Sequence, residues 1–220
     1  MKSYTAALLA LSLTLPAVFG QATQPKTFNF DSDPAGKVPA GFTSYATGGG
    51  RAGKWVVTDM GDVPSGKRAV VQSDADPTDA RYPVLIADGG EYPDLDVSMK
   101  AKAISGKGDQ GMGLVFRFRD PRSYSIVRAN ALEDNFRLYR MVNGQQLQFA
   151  GGNVKVSFGQ WHSIRVVAQR DHITCWFDGR QVIDAHDKTY TTDKIGLWTK
   201  ADSVIAFDDM AVSPLWKIFG

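Results

Sequence analysis

The sequence predicts an all-β protein, built as a two-sheet antiparallel sandwich or a barrel. About fourteen short runs rich in β-branched and aromatic residues alternate with turn residues from Phe28 to Val212, and no segment has a convincing helical pattern. Glutamate, which favours helices, occurs only at Glu91 and Glu133, against 21 aspartates. No repeat or low-complexity tract divides this stretch, so we expect a single domain.

The predicted strands follow one another closely along the chain. Two connections predict hairpins with two-residue turns, Asn143-Gly144 and Asp178-Gly179, because these residue pairs tolerate the positive φ values that such turns need. The strands are expected at 27–30, 55–58, 68–72, 83–86, 95–103, 113–118, 123–130, 135–142, 145–150, 162–169, 172–177, 180–186, 194–199 and 204–212.

The chain begins with the features of a secretory signal peptide. Lys2 supplies a positive start, residues 6–15 are apolar, and small residues precede the expected cleavage site. We therefore expect residues 1–22 to be removed, residues 23–212 to form the domain and residues 213–220 to form a C-terminal tail. The mature protein is expected to be secreted or periplasmic.

The lone cysteine, Cys175, excludes an internal disulfide, and a lipid anchor would need a cysteine at the cleavage site. Cys175 alternates with Ile173 and Phe177 on one apolar strand face. We therefore expect a buried, unreactive thiol.

Charge and motif content exclude several classes of function. The net charge is +2 and no basic cluster stands out, so we expect no nucleic-acid partner. The leader's apolar run is shorter than the roughly 20 residues of a membrane span, and no second run follows, so we expect no membrane insertion. Residues 48–50 are Gly-rich but lack the Lys-Ser/Thr of a phosphate loop. No particular oligomeric state is indicated.

Residues 111–150 predict four consecutive strands with polar side chains on one face. Alternation places Arg117 and Arg119 opposite two Phe rings, and it places Arg128 and Asn130 together on the following strand. Two interpretations stay open: a surface that binds a polar ligand, or a solvated face on which arginine stems cover aromatic rings.

Short motifs follow one another in a characteristic order along the chain. They are GLVFR at 113–117, YSIVRAN at 124–130, RLY at 137–139, GQWHSIRV at 159–166, DG at 178–179, IGLWT at 195–199 and FDDM at 207–210. In this order they resemble the concanavalin A-like, laminin G-like jelly rolls, and most of all the secreted bacterial proteins of the 3-keto-disaccharide hydrolase domain family. The resemblance implies a jelly-roll sandwich of two curved sheets that holds glycans on the concave sheet.

The candidate ligand-binding residues follow from the chemistry of sugars. A sugar offers an apolar face and a rim of hydroxyls, so its site needs an aromatic ring flanked by guanidinium, amide or carboxylate groups. Residues 128–135 and 198–202 have this character. The expected ligand-binding residues are Arg117, Arg128, Asn130, Glu133, Trp198, Lys200 and Asp202.

Three functions stay open, and glycan binding with little or no catalysis is the leading one. The alternative is a 3-keto-glycoside or other glycoside hydrolase, in which a ketone acidifies a neighbouring C–H bond. Glu133 is then the candidate base, and Arg128 or Lys200 stabilises the enolate. A retaining glucanase with two glutamates on one strand is excluded, because Glu91 and Glu133 lie too far apart in the sequence. A structural or protein-contact module is the third possibility.

A structural calcium is the one cofactor for which the sequence offers ligands. Jelly rolls of the kind that the chain resembles often tie their first and last strands through a hard cation, and Asp31 and Asp209 are placed to hold it. The three histidines, His162, His172 and His186, are too scattered to predict a transition-metal site, and we expect them to be structural or solvated.

Overall fold

The computed structural model describes residues 24–191 and 194–215, and its regular structure there consists of fifteen β-strands. Nothing in this part of the chain forms an apolar helix of membrane-spanning length. The strands are β1 (Lys26–Phe28), β2 (Phe42–Gly48), β3 (Trp55–Asp59), β4 (Arg68–Gln72), β5 (Arg81–Ala87), β6 (Leu95–Ser105), β7 (Gly111–Asp120), β8 (Ser123–Asn130), β9 (Asn135–Val142), β10 (Gln145–Asn153), β11 (His162–Gln169), β12 (His172–Phe177), β13 (Arg180–His186), β14 (Lys194–Trp198) and β15 (Val204–Pro214).

All fourteen expected strands are present, and one strand was not predicted. β2 carries polar residues at Thr43, Ser44 and Thr47, so its sequence lacks the apolar run that marks the others. The expected signal peptide lies outside the described residues. The last strand runs on to Pro214, which pairs with Leu95, and the remainder of the expected tail beyond residue 215 also lies outside the described part.

Two antiparallel sheets form a jelly-roll sandwich. The first sheet has the order β13-β12-β11-β6-β15-β4-β3, with β1 pairing on β15, and the second has the order β10-β9-β8-β7-β14-β5-β2. In both sheets strands distant in sequence lie side by side, as β15 lies beside β6 and β14 lies beside β7. The fold class expected from the sequence is confirmed.

The main core fills the space between the two sheets. β11 alternates buried and more exposed side chains along its length, and β12 does the same, which buries Cys175 completely. Burying one large aliphatic or aromatic side chain stabilises the fold by about 1.5–3 kcal/mol. The expected burial of Cys175 is confirmed. Burial also raises the pKa of the Cys175 thiol, which disfavours the reactive thiolate.

A second apolar cluster covers the outer face of the second sheet, where antiparallel sheets usually meet water. We call it the aromatic face. It consists only of residues from the second sheet, on the side opposite the main core: Tyr82, Val84, Ile86, Val115, Phe118, Tyr124, Ile126, Tyr139, Met141 and Trp198, with Tyr45 packed against them.

A β-bulge at Arg117 interrupts the alternation expected in β7. Arg117 has a φ of 54°, and the pairing of β7 with β8 shifts between Phe116 and Asp120. As a result Phe116 points into the main core whereas Phe118 joins the aromatic face. The expected common face of the two Phe rings is therefore wrong, because a bulge inserts an extra residue and reverses the side-chain directions beyond it.

Both predicted hairpin turns are present. Asn143 and Gly144 have φ values of 53° and 83°, and Asp178 and Gly179 have values of 46° and 78°. Positive φ at both positions is the geometry that matches the right-handed twist of the flanking strands. The first turn joins β9 to β10 and the second joins β12 to β13.

Candidate functional site

A polar cluster lies at one end of the aromatic face, and we call it the Arg128 cluster. Alternation along β8 turns Arg128 to the same face as Tyr124 and Ile126. The cluster consists of Asp109, Arg128, Glu133, Tyr139 and Lys200, which are joined by hydrogen bonds or ion pairs, or linked through their charges.

Arg128 is the centre of the cluster and is 5% exposed. Its Nη2 donates to Glu133 Oε2 at 2.9 Å and to the Tyr139 hydroxyl at 3.0 Å. Its Nε and Nη1 are buried and have no hydrogen-bond partner within the described residues. Burial lowers the pKa of Arg128, but the neighbouring Tyr139, Asp109 and Glu133 outweigh it and raise the pKa overall, so the cation persists.

Asp109 supplies a buried carboxylate and is 1% exposed. Its Oδ1 accepts a hydrogen bond from Asn130 Nδ2 at 3.1 Å, and its Oδ2 lies 3.4 Å from Lys200 Nζ. Burial raises the pKa of Asp109, although the charges of Arg128 and Lys200 oppose this effect. The carboxyl group is therefore easier to protonate than that of an ordinary aspartate.

Asp202 holds the backbone of Asp109 in place and does not itself belong to the Arg128 cluster. The Asp202 carboxylate accepts hydrogen bonds from the backbone N–H groups of Lys107, Gly108 and Asp109 at 2.7–3.0 Å. These bonds lower the pKa of Asp202 against the opposing effect of its burial. The expected ligand residue thus acts in the structure as the anchor of the turn before β7.

Lys200 follows β14 in a loop that a buried arginine holds in place. Arg81 Nη1 donates to the carbonyl oxygen of Ala201 at 2.6 Å and to that of Asp74 at 3.1 Å, while Nε donates to that of Arg51 at 2.7 Å. The Lys200 ammonium lies 2.9 Å from the exposed carboxylate of Asp79. Burial lowers the pKa of Lys200, but Asp79 and Asp109 outweigh this effect and raise the pKa overall, so the lysine stays charged.

Glu133 lies at the solvent side of the cluster, with its side chain 45% exposed. Its Oε2 accepts hydrogen bonds from Arg128 and from Asn135 Nδ2, the latter at 2.7 Å. Partial burial raises the pKa of Glu133, but Asn135 and Arg128 outweigh this effect and lower the pKa overall. A carboxylate held in this way is a weak base.

Trp198 lies against β7 beside the cluster and is fully buried. Two glycines of β7 make room for it, because a Cβ at Gly113 would lie 2.8 Å from Trp198 Cε3 and one at Gly111 would lie 3.2 Å from Cζ3. Tyr82 stacks on the indole with ring centroids 5.5 Å apart. Trp198 therefore supports the site from within.

Arg117 lies apart from the other predicted ligand residues. Its buried guanidinium donates to the carbonyl oxygens of Arg170 and Asp187, the residues that directly follow β11 and β13. The structure brings four of the seven together, since Arg128, Asn130 and Glu133 meet Lys200 through Asp109.

The sequence patterns did not single out Asp109, Arg81, Tyr82 or Tyr139. Asp109 follows a glycine in a turn, where aspartates usually serve their own backbone, and its partners Asn130 and Lys200 are 21 and 91 positions away. Tyr139 was detectable, since strand alternation places it on the same face as Met141 and its register opposes Ile126 on β8.

The expected calcium ligands lie close to one turn between β3 and β4. Asp31 Oδ1 accepts hydrogen bonds from the backbone N–H groups of Lys67 and Arg68 at 2.7 and 3.1 Å, and Asp209 Oδ1 accepts one from the Ser65 hydroxyl at 2.6 Å. These carboxylates already serve the turn, and calcium binding there stays a prediction.

The model of the 3-keto-alpha-glucoside-1,2-lyase-like domain matches residues 27–213, which is nearly all of the described chain. The resemblance found in the sequence motifs is confirmed. A comparison with curated protein sequences finds no match.

Solved structures share the fold at low sequence identity. The carbohydrate binding module CBM66 from Bacillus subtilis has a TM-score of 0.64 and 19% identity, over 79% of this chain and 95% of its own. The cellulose induced protein Cip1 has a TM-score of 0.61 and 12% identity, over 86% and 97%. The carbohydrate recognition domain of Emp47p has a TM-score of 0.54 and 13% identity, over 86% and 94%.

Proposed function

Because the chain belongs to the family of 3-keto-alpha-glucoside-1,2-lyase-like domains, we propose that it binds a carbohydrate at the Arg128 cluster. One observation carries the proposal: Nε and Nη1 of Arg128 are buried and, within the described residues, form no hydrogen bond. Beside them, the buried Oδ2 of Asp109 is engaged only by Lys200 Nζ, at 3.4 Å. Buried polar groups without partners cost free energy, so a ligand that pairs them gains affinity. A sugar hydroxyl can accept from the guanidinium and donate to the carboxylate.

Two tyrosine rings supply the apolar side of the proposed site. Tyr82 and Tyr139 are 9% and 8% exposed, in contrast to the fully buried Trp198, which stacks on Tyr82. The Arg128 guanidinium carbon lies 5.7 Å from the centre of the Tyr139 ring. A ring beside a cation and a carboxylate suits the C–H face and the hydroxyl rim of one sugar unit.

Solved structures that share the fold support this proposal. The proteins that share the fold include a carbohydrate binding module and a carbohydrate recognition domain. Since one fold hosts many functions, the proposal rests on the residues of the cluster. It also includes action in the periplasm or outside the cell, for which the leader at residues 1–22 is the sequence argument.

A glycan array followed by affinity electrophoresis in polysaccharide gels tests the binding. Removing a charged hydrogen-bonding group typically costs about 1.5–3 kcal/mol, so Arg128→Gln should weaken retention roughly tenfold or more. Arg165→Gln is the matched control, because Arg165 pairs with Asp96 on the first sheet at 2.6 Å and should not affect retention. No retention of the wild type on any polysaccharide, or equal retention of Arg128→Gln, would overturn the proposal.

Cleavage of a 3-keto-glucoside is the second candidate, and Asp109 is the observation that favours it. A base removes the proton next to the ketone, the C–H electron pair forms a C=C bond, and the glycosidic C–O bond breaks with its electrons. Asp109 is a better candidate base than Glu133, because its pKa is raised whereas that of Glu133 is lowered. Arg128 and Lys200 supply the positive charge that steadies a developing enolate.

Incubation with a 3-keto-glucoside distinguishes the two candidates. Release of the aglycone by the wild type and by Glu133→Gln, but not by Asp109→Asn, supports cleavage with Asp109 as the base. Retention on a glycan without any release supports binding alone. Release by Asp109→Asn at the wild-type rate would remove Asp109 as the base.

A further inference from the structure

Two histidines and an aspartate meet on the outer face of the first sheet, far from the Arg128 cluster in the fold. His172 begins β12 and His186 ends β13, and the two residues are direct partners in the antiparallel register. Their imidazole rings stack with centroids 4.8 Å apart at 16°. Asp184 lies two positions before His186 and so shares its face, and His172 Nε2 lies 2.8 Å from Asp184 Oδ1.

The expected scatter of the three histidines is therefore wrong for two of them. Both side chains are exposed, as expected for solvated side chains. His162 is structural as expected, since Nδ1 bonds to Asp178 at 2.7 Å and Nε2 to the carbonyl oxygen of Ser157 at 3.0 Å. His172 and His186, in contrast, come together only because β12 and β13 pair. The pairing shifts between Cys175 and Trp176, where an extra residue of β13 lies opposite this step.

We propose that His172, Asp184 and His186 form a binding site for one divalent transition-metal ion of the Zn²⁺ type. One ligand atom from each residue lies within 4.8 Å of the other two. Zn²⁺ binds imidazole nitrogen and carboxylate oxygen at about 2.0–2.2 Å, which places the ligands of a tetrahedral site roughly 3.3 Å apart. Small rotations of exposed side chains are enough to reach this geometry.

The chemistry of the donor set selects the ion. Neutral imidazole is the commonest protein ligand for zinc, copper and nickel, whereas magnesium and calcium prefer sites made of oxygen alone. Two imidazoles and one carboxylate therefore favour a borderline ion over calcium. A further carboxylate stands beside the site, because Asp171 Oδ2 lies 3.5 Å from His186 Nδ1.

Exposure leaves the three side chains accessible to an ion from solution. The side chains of His172 and Asp184 are 44% and 58% exposed, and that of His186 is 65% exposed. Their hydrogen bonds and ring contacts are among themselves and their close neighbours on the same face. Bringing them to one ion therefore breaks no core packing.

The position of the site indicates what the metal does. β13 is the last strand in the order of the first sheet, and β12 is its neighbour in that sheet. A metal held by both strands fixes their register at the end opposite the Asp178-Gly179 turn. Because the ligands are brought together only in the folded chain, binding stabilises the folded state by mass action.

Isothermal titration of tag-free protein with ZnCl₂ is the first test. We expect one saturable site per chain in the micromolar range. Losing a group that merely orients a metal ligand costs about 10–100-fold in affinity, so His172→Gln and His186→Gln should each cost at least as much. Wild-type affinity in both variants, or no saturable binding to the wild type, would overturn the proposal.

Lys188→Gln is the matched control, since Lys188 is exposed and lies near Asp171 but offers no ligand in its charged form. It should keep the wild-type affinity or exceed it, because a nearby positive charge is removed. Asp184→Asn provides a second ligand variant with little change in size. Circular dichroism of the metal-free variants checks that each one folds.

Thermal unfolding with and without ZnCl₂ is the second test. The melting temperature of the wild type should rise on saturation, and those of His172→Gln and His186→Gln should not. An equal rise in the variants would show that zinc acts elsewhere. His172→Gln should bind carbohydrate like the wild type, so this experiment separates failure of the metal site from failure of the proposed function.

Discussion

The Asp202 carboxylate accepts the backbone N–H of Asp109 at 2.9 Å, and this bond sets the direction of a buried acid next to Arg128. Two further N–H groups of the same turn also bond to Asp202. The two residues are 93 positions apart in the sequence: Asp109 lies just before β7 and Asp202 lies just after β14. The geometry of the candidate site therefore depends on a residue that does not face the ligand.

Replacing Asp202 should harm stability and binding together. Asp202→Ala removes the acceptor of three N–H groups, and one of them, that of Asp109, is buried. A buried donor left without a partner costs about 1–3 kcal/mol. We expect a lower urea midpoint and weaker retention on glycan gels. Asp59→Ala is the control, because Asp59 forms an exposed ion pair with Arg68 that is worth about 0–1 kcal/mol. Equal effects of the two substitutions would contradict the assignment.

The close contact between Gly113 and Trp198 predicts that any side chain at position 113 destabilises the protein. An added methyl group in Gly113→Ala would lie 2.8 Å from the indole, and overpacking of this kind costs about 1–3 kcal/mol. The melting temperature should fall and the tryptophan fluorescence should shift as the indole moves. Gly61→Ala is the control, since nothing lies within 4 Å of a Cβ there. If Gly113→Ala were as stable as the wild type, the prediction would be wrong, because the sheet would have shifted to make room for the methyl group.

Asp109→Asn should change the pH dependence of stability. Burial raises the folded pKa of Asp109 above its unfolded value of about 3.9, so between these values the folded protein binds more protons than the unfolded chain. Wild-type stability therefore falls as the pH rises through this window. The variant should show a smaller fall in melting temperature between pH 4 and neutral pH, and it should lose carbohydrate binding. An unchanged pH profile would count against this reading.

Cys175 should not react in the native protein. Its side chain is fully buried and its raised pKa disfavours the reactive thiolate. Native protein should give no colour with Ellman's reagent, and unfolding in guanidinium should release one equivalent. Ser44→Cys places a second thiol on the exposed face of β2, and only this added thiol should react without denaturant.

Local sequence patterns were enough to predict most of the fold. Strand alternation and the residue pairs Asn143-Gly144 and Asp178-Gly179 act over a few positions, so the hairpins and the fold class could be predicted from them. β2 was missed because an edge strand needs little apolar sequence. The bulge at Arg117 was missed because nothing at that position requires a positive φ.

Distant contacts explain what the sequence did not predict about the sites. A regular register counted back from the Asp178-Gly179 turn would pair His172 with Ala185, and the shift beside Cys175 instead pairs it with His186. Arg128 and Glu133 are five positions apart and could be predicted together. Asp109 and Asp202 could not, because they come together only through the antiparallel pairing of β7 with β14, two strands that are distant in the sequence.

Arg81 connects three surface segments of the chain through hydrogen bonds. Its guanidinium reaches the carbonyl oxygens of Arg51, Asp74 and Ala201, and it also lies 3.0 Å from the Asp74 carboxylate. The loop that carries Lys200 is thus held in place before any sugar binds. Ordering this loop therefore costs little conformational entropy on binding. Structures with and without a bound sugar should superimpose closely around the Lys200 loop. Differences in affinity between sugars should then reflect how well each one fits a preformed site.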